Sequence, residues 1–259
     1  MALLEIKGLS KYFGGLRALD DVTLSVAEGE VFSVVGPNGS GKTTLFNVIS
    51  GIYAPTKGSV RFGDRDLTGA APHRVAQAGI GRTFQNVSLF PKMSVQDNVL
   101  LAMHSRRREN LAAGIARTAA WNREERACIR RARELLCFVE LGGREGEAAR
   151  NLPYGEQKRL EIARALALEP KCLLLDEPAA GTNPSELEVL TEVIARIRDL
   201  KVTIMLIEHR MDMVMTISDR VHVLNQGRTI AWGTPAEVCS NPEVIEAYLG
   251  KGASTGAAG

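Results

Sequence analysis

The chain has 259 residues, 45% hydrophobic and 24% charged, the balance of a folded globular protein large enough to bury a substantial core. A formal charge of +2 is too small to make nucleic acid the main partner, and no stretch reaches the roughly 18 uninterrupted apolar residues that a spanning helix needs. The opening MALLEIKGLSKYF carries charges where a signal peptide has its apolar run, so the protein is expected in the cytoplasm.

In chain order, Leu3 to Lys7, Val22 to Val26, Val31 to Val35 and Val60 to Phe62 are short β-type runs separated by turn signals, which predicts a strand-rich lobe. From Ser94 to Ala149 the β-branched runs disappear. A helix is expected from Asn122, where Asn122 and Glu125 have capping-box spacing, and Cys128, Ala132, Leu135, Leu136 and Val139 form one apolar stripe along it. The Arg106 to Arg108 run reads first as a solvated loop or helix end, with a local binding patch as the alternative.

After Pro170 comes the strand CLLLD, then a helix with Asn183 as its cap, Pro184 at its first position and Glu186 closing a capping box; Leu187, Leu190, Ile194 and Ile197 form its stripe. Val202 to Ile207 is apolar and β-branched, as a buried parallel strand should be. Residues 221 to 231 read as two strands around Asn225, Gln226 and Gly227, and Thr234, Pro235 and Glu237 start a short helix. The final KGASTGAAG is small and polar, hence a frayed tail. Strands alternating with helices predict an α/β sheet. Cys128, Cys137, Cys172 and Cys239 contain no CxxC pair, which argues against a zinc site or a disulfide framework.

Gly36 to Thr43 fits GxxxxGK(S/T) in full, between the strand VFSVV and the helical TTLFNVIS. Within GPNGSGKTT the glycines Gly36, Gly39 and Gly41 let the backbone turn its N–H groups, with those of Asn38 and Ser40, toward phosphate oxygens, and the following helix points its positive end at them. Lys42 supplies a cation for the β and γ phosphates of ATP, the Thr43 hydroxyl a ligand for Mg²⁺, and Thr44 another phosphate contact.

Downstream, Leu173, Leu174, Leu175, Asp176 and Glu177 form an apolar strand ending in two acids, at the carboxyl edge where ligands of open α/β sheets collect. Asp176 is expected to hold Mg²⁺ through water, and Glu177 to orient or deprotonate the attacking water. His209, just past Val202 to Ile207, reaches the same edge and is a candidate γ-phosphate contact. Gln85, in GRTFQN, lies between the strand-rich lobe and the helical segment.

With GPNGSGKTT, Gln85, NLPYGEQKRLEIARAL, LLLDEP and IEH in this order, the chain resembles the nucleotide-binding subunits of ATP-binding cassette (ABC) transporters over almost its whole length. YFGGLRALDDV, LPYGEQ, LDEPAAG and the ending GTPAEVCSNPEVIEAYLG narrow the resemblance to the LivG-type ATPases of branched-chain amino-acid importers. The resemblance implies a P-loop NTPase core of the RecA-like kind, with a mostly parallel sheet, an N-terminal antiparallel β lobe and an inserted helical subdomain. One cassette domain would then span 1–250. Residues 1–93 and 165–250 would be the catalytic core and β lobe, 94–164 the helical subdomain with the signature, and 251–259 a flexible tail.

It also implies a head-to-tail pair of cassettes, each ATP lying between one subunit's phosphate loop and the other's signature, here Leu152, Pro153, Tyr154, Gly155, Glu156 and Gln157. Gln85 would sense the γ-phosphate and touch Mg²⁺; Phe13 would stack on adenine, with Tyr12 as the other candidate. The signature departs from LSGGQ: Pro153 stands for the serine and Tyr154 for the first glycine, so Gly155 N–H and the helix end carry more of the phosphate contact. Asn183 stands where an aspartate is usual and Arg210 where an acid is frequent. The implied partners are a LivF-like second cassette, or a second copy in isolation, two membrane permease subunits and, indirectly, a substrate-binding protein. The alternative is the motor of an exporter such as a lipopolysaccharide-export system.

Overall fold

The computed structural model describes residues 2–83, 87–104 and 119–249. Its chain divides into two compact units, one made of Met1–Arg82, Lys171–Glu177 and Ile194–Gly259, the other of Thr83–Pro170 and Pro178–Val193.

The first unit holds two sheets. Strands β1 (Ala2–Phe13), β2 (Leu16–Ala27), β4 (Lys57–Phe62) and β5 (Arg65–Asp66) form an antiparallel sheet in the order β2-β1-β4-β5. β1 and β2 run well beyond the short segments expected at Leu3 to Lys7 and Val22 to Val26. The reason is local: β-bulges between Ile6 and Leu9 and between Leu9 and Lys11 break the two-residue period, so the far half of the hairpin does not alternate. Gly14, at φ 57, supplies the tight turn between the strands.

The second sheet has the order β10-β9-β3-β8-β7-β6, built from β3 (Val31–Val35), β6 (Ile80–Arg82), β7 (Cys172–Asp176), β8 (Thr203–Ile207), β9 (Arg220–Asn225) and β10 (Arg228–Gly233). All pairings are parallel except that of the edge strand β10. Every residue of β3, β7 and β8 is buried, which explains their continuous apolar runs. Helix α1 (Lys42–Ile49) places Leu45, Phe46, Val48 and Ile49 in one core with Leu4, Ile6, Val22 and Val26 of the antiparallel sheet and Val34, Leu174 and Ile207 of the parallel one. This is the P-loop NTPase α/β core with an antiparallel β lobe that the motifs led us to expect. Helix α2 (Pro72–Ala78) precedes β6.

In the second unit, α3 (Val95–His104), α4 (Ala119–Phe138) and α5 (Tyr154–Leu166) pack on one another around Val95, Val99, Leu135, Leu136, Leu152, Leu160 and Ile162. Arg159 of α5 ties this packing together by donating to the carbonyls of Val139 and Glu140, each at 2.8 Å. The expected start of the second of these helices is corrected: α4 is already helical at Ala119, the first described residue of this stretch, so Asn122 lies inside it and is not its cap. Its stripe is where the spacing put it, with Ala132, Leu135, Leu136 and Val139 buried. The Arg106 to Arg108 run and the tail from Lys251 lie outside the described residues.

The expected capping box of α6 (Pro184–Asp199) is present: Glu186 N–H donates to Asn183 Oδ1, and Asn183 N–H to Glu186 Oε2, both at 2.9 Å. Three short helices complete the first unit: α7 (Met211–Ile217), α8 (Pro235–Cys239), whose Thr234 and Glu237 also close a capping box, and α9 (Pro242–Leu249).

Candidate nucleotide-binding site

The loop between β3 and α1 is held in shape by its glycines and neighbours. Gly36, at φ 148, is so close to β9 that a Cβ there would lie 2.0 Å from the Leu224 carbonyl oxygen. Gly41, at φ 105, caps α1 while passing the Ala18 carbonyl, which a Cβ would meet at 2.6 Å. The Ser40 carbonyl accepts from Gly227 N–H at 2.9 Å, which pins the loop to the β9–β10 turn. Between these anchors Gly39, at φ 78, faces open space: a Cβ there would find nothing within 4 Å. The loop is thus fixed at both ends and open in the middle, and no side-chain cap occupies the first N–H groups of α1.

Its chemistry fits an anion. Lys42 is buried, and its ammonium donates to the Gly36 and Pro37 carbonyls at 2.8 and 3.0 Å. Burial pulls its pKa down while the nearby carboxylates of Glu177 and Asp176 push it back up. The Ser40 hydroxyl is buried in the loop without a hydrogen-bond partner, a donor able to serve a bound group. Asn38 and Thr43 are exposed at the loop, and Thr44 is half-buried.

Asp176 ends β7, buried at 1% exposure, and Glu177 follows at φ 47, a left-handed conformation unusual for a residue with a side chain. Glu177 N–H donates to the Ile207 carbonyl at 2.9 Å, so the turn after β7 is fixed by β8. His209, just past β8, is exposed, and its backbone N–H donates to Glu208 Oε2 at 3.1 Å. The parallel register therefore brings Lys42, Asp176, Glu177 and His209 to the carboxyl ends of adjacent strands β3, β7 and β8.

Phe13 is exposed at the end of β1, its ring edge-on to Tyr53 at 5.2 Å, with the Lys11 ammonium 5.0 Å from its centroid. Tyr12 is engaged elsewhere, its hydroxyl donating to Asp20 at 3.1 Å. Gln85 lies outside the described residues.

The segment Leu152 to Gln157 sits in the second unit. Pro153 precedes α5 with no side-chain cap, and its carbonyl accepts the Gln157 N–H at 3.0 Å. Gln157 turns its amide back onto the Leu152 carbonyl at 2.8 Å, and Glu156 pairs with Arg144 at 3.2 Å. Gly155 is covered by the Glu186 side chain: a Cβ there would meet its carboxyl carbon at 2.5 Å. Tyr154 lies exposed beside Gly181, with the Lys158 ammonium 5.6 Å from its ring.

Three functional neighbours escaped the sequence reading. Arg82, ending β6, donates to Asp176 Oδ2 at 3.0 Å and to the Ser50 hydroxyl at 2.6 Å, in a buried cluster. Glu208 is a fully buried carboxylate behind His209, signalled only by an acid at the end of an all-apolar strand. Tyr53 joins Phe13 at the lobe's exposed aromatic pair.

A glycine-rich loop opening a helix beside a strand that ends in paired acids defines a phosphate-loop nucleotide-binding protein. Residues 19–180 match the ABC transporter family model, and residues 228–254 match that of the branched-chain amino acid ATP-binding cassette transporters. The chain is 46% identical over 250 residues to BraF of Pseudomonas aeruginosa, a high-affinity branched-chain amino acid transport ATP-binding protein, covering 96% of this chain and 98% of BraF. It is 45% identical over 250 residues to LivG of Escherichia coli, which carries the same description, with the same coverage of both chains. Among solved structures, the ADP conformation of MJ1267, an ATP-binding cassette of an ABC transporter, superposes with a TM-score of 0.84 at 34% identity, over 97% of this chain and 100% of that one. The chain belongs to the ABC transporter ATPases, in the branch that serves branched-chain amino-acid transport.

Proposed function

We propose that this chain binds and hydrolyses ATP to drive a multi-subunit importer of branched-chain amino acids. The observation that carries the reading is the shared electrostatic environment of Lys42, Asp176 and Glu177 beside an open glycine loop. In it, the loop N–H groups and Lys42 bind the phosphates, and Glu177 takes a proton from the water that attacks the γ-phosphorus. The new P–O bond forms as the bond to the ADP oxygen breaks, and His209 and Gln85 steady the γ-phosphate.

Thr43 and Asp176, with Gln85, would hold Mg²⁺, which when bound offsets charge on the β and γ phosphates. The donor set suits it. Among the described residues no cluster of three or more His, Cys, Asp or Glu forms a metal site, and one carboxylate with one hydroxyl matches a cation that keeps waters and phosphate oxygens as ligands. Phe13 stacks on the adenine.

Cassettes of this family dimerise and work with permease subunits. Here the partner cassette is LivF-like, and Leu152 to Gln157 of this chain close over the partner's ATP. In this reading the chain sits peripherally on the cytoplasmic face of the plasma (inner) membrane, held by two permease subunits; among the described residues no helix is long and apolar enough to cross a membrane. The match over residues 228–254 favours this importer over the exporter alternative.

The test is ATP-dependent leucine uptake into proteoliposomes carrying the whole complex. Glu177→Gln is expected to bind ATP but to lose about 10²-fold or more in turnover and with it uptake, the scale of a general base. Full turnover in that variant, or a parent complex that transports no branched-chain amino acid, sinks the reading.

A further inference from the structure

Strand β8 ends at Ile207, and the residue after it is as enclosed as the strand itself: Glu208 is fully buried, while the His209 side chain next to it is 56% exposed. A carboxyl group is costly to bury unless it is hydrogen-bonded, and an apolar side chain would fill the same space without that cost. Glu208 turns its carboxyl onto the turn that follows it. Its Oε2 accepts the His209 N–H at 3.1 Å and, at the outer limit of a hydrogen bond, the Arg210 N–H at 3.5 Å.

The same oxygen lies 3.9 Å from His209 Nδ1. That is too long for a hydrogen bond, but it puts Nδ1 on the carboxyl's side of the ring and leaves Nε2 as the nitrogen that can meet a ligand. Contacts of this kind are often long before a ligand arrives, and a shift of about 1 Å would bring Nδ1–H onto Oε2. The peptide in front of Glu208 is tied down as well: Ile207 pairs with Asp176 in the parallel register, and its carbonyl accepts the Glu177 N–H at 2.9 Å. The chain is therefore fixed on both sides of Glu208, to the turn carrying Glu177 by the Ile207 carbonyl and to the turn carrying His209 by the Glu208 carboxyl.

We propose that Glu208 is a positioning residue for His209: its carboxyl fixes the backbone that carries the imidazole and takes a hydrogen bond from Nδ1–H, so that Nε2–H is presented to the γ-phosphate. With one N–H given to a carboxylate and the other to a phosphate oxygen, the ring works as an imidazolium between two anions. Glu208 touches no nucleotide; it acts through His209. The inference rests on the assignment of His209 to the γ-phosphate of ATP.

The experiment measures ATP hydrolysis by the whole transporter complex carrying Glu208→Gln, His209→Ala or both, with slow variants read as single turnovers. Glu208→Gln keeps the shape and one acceptor oxygen and removes the charge. It is expected to lower kcat about 10-fold, the scale of one hydrogen bond to a charged group, with KM for ATP and Tm close to those of the parent. In the His209→Ala background it should change nothing further, because the residue through which it acts is gone. Glu208→Asp, which keeps the charge and draws it back by one methylene, goes through the same cycle and should show the same dependence on His209, whether or not Glu208→Gln folds. If Glu208→Gln hydrolyses ATP like the parent, or if the two losses multiply in the double variant, Glu208 does not act through His209 and the proposal is overturned. A fall in Tm and ATP affinity with kcat unchanged marks a packing residue and overturns it too. If His209→Ala itself hydrolyses ATP at the parent rate, the assignment of His209 fails; a loss in His209→Ala with none in Glu208→Gln rejects this inference alone.

Discussion

Arg82 Nη2 and Asp176 Oδ2 stand 3.0 Å apart, with side chains 8% and 1% exposed, so the carboxylate that ends β7 shares its burial with a guanidinium from the neighbouring strand. Burial pulls the Arg82 pKa down and Asp176 restores part of it. A cation next to the proposed Mg²⁺ ligand limits how much negative charge that ligand presents before nucleotide arrives.

Arg82→Met is therefore expected to destabilise the chain by about 3–5 kcal/mol, the cost of leaving one member of a buried ion pair behind. Mg²⁺-ATP should recover more of that loss than it adds to the parent, because it brings a cation back to Asp176. Thermal unfolding with and without Mg²⁺-ATP checks this; equal ligand-induced Tm shifts in the two proteins contradict it.

Two loop glycines should differ in how far stability and binding fall together. Gly36→Ala drives a methyl to 2.0 Å from the Leu224 carbonyl, so it should lower Tm and abolish nucleotide binding together. Gly39→Ala meets nothing within 4 Å, so it should cost only about 1–2 kcal/mol of left-handed strain while placing a methyl in the open cradle and weakening ATP binding. Calorimetric Tm values and nucleotide titrations separate the two.

His222 is buried, its pKa pushed down to about 4 chiefly by burial and secondarily by Arg220, while its Nε2 meets the Thr229 hydroxyl at 2.9 Å. The unfolded chain binds a proton near pH 6.5 and the folded one only near 4, so the stabilising effect is full above pH 6.5 and is lost as pH falls toward 4. About 2–3 kcal/mol should disappear across that window. In His222→Gln the pH dependence of unfolding between 6.5 and 4.5 should be shallower than in the parent; identical slopes refute the assignment.

Asn98 is fully buried and clamps the Phe90 turn, accepting from Phe90 N–H at 2.9 Å and donating to the carbonyls of Phe90 and Ser94 at 3.1 and 3.0 Å. Phe90 is exposed and Leu89 and Met93 beside it are half-buried, and we propose that this turn meets the permease subunits. Asn98→Leu should leave the Phe90 N–H without its acceptor, while the Phe90 and Ser94 carbonyls keep the N–H groups of Met93 and Asn98 at 3.1 and 3.0 Å; the cost is about 1–3 kcal/mol, and uptake per ATP should fall more than ATP hydrolysis. Transport and hydrolysis falling in equal proportion would place Asn98 in the fold alone.

Much of the fold was legible because its signals are local. The phosphate loop, the apolar strands β3, β7 and β8, and the capping boxes at Asn183 and Thr234 are each written within a few consecutive residues. What escaped depends on distant partners. Arg82 and Asp176 are 94 positions apart, and β6 has only three residues, too few to show a period. The extent of the β1–β2 hairpin was hidden by bulges, and the start of α4 by a capping pattern that occurs inside a helix already under way. Glu208 looked like a strand end until its side chain proved to be wholly enclosed.

The peptide at Ser88 is gripped from both sides by α5: Glu161 accepts its N–H at 2.6 Å, and Arg164, one turn on, donates to its carbonyl and lies 5.3 Å from the Phe90 ring. A helix that holds a loop at two points transmits rotation as well as push. From Tyr154 to Glu161 the lever arm is about 10 Å, so a tilt of ~10° at the signature end displaces the held loop by roughly 2 Å. Because both holds come from charged groups one turn apart on α5, a displacement of that turn would be passed directly to the backbone at Ser88.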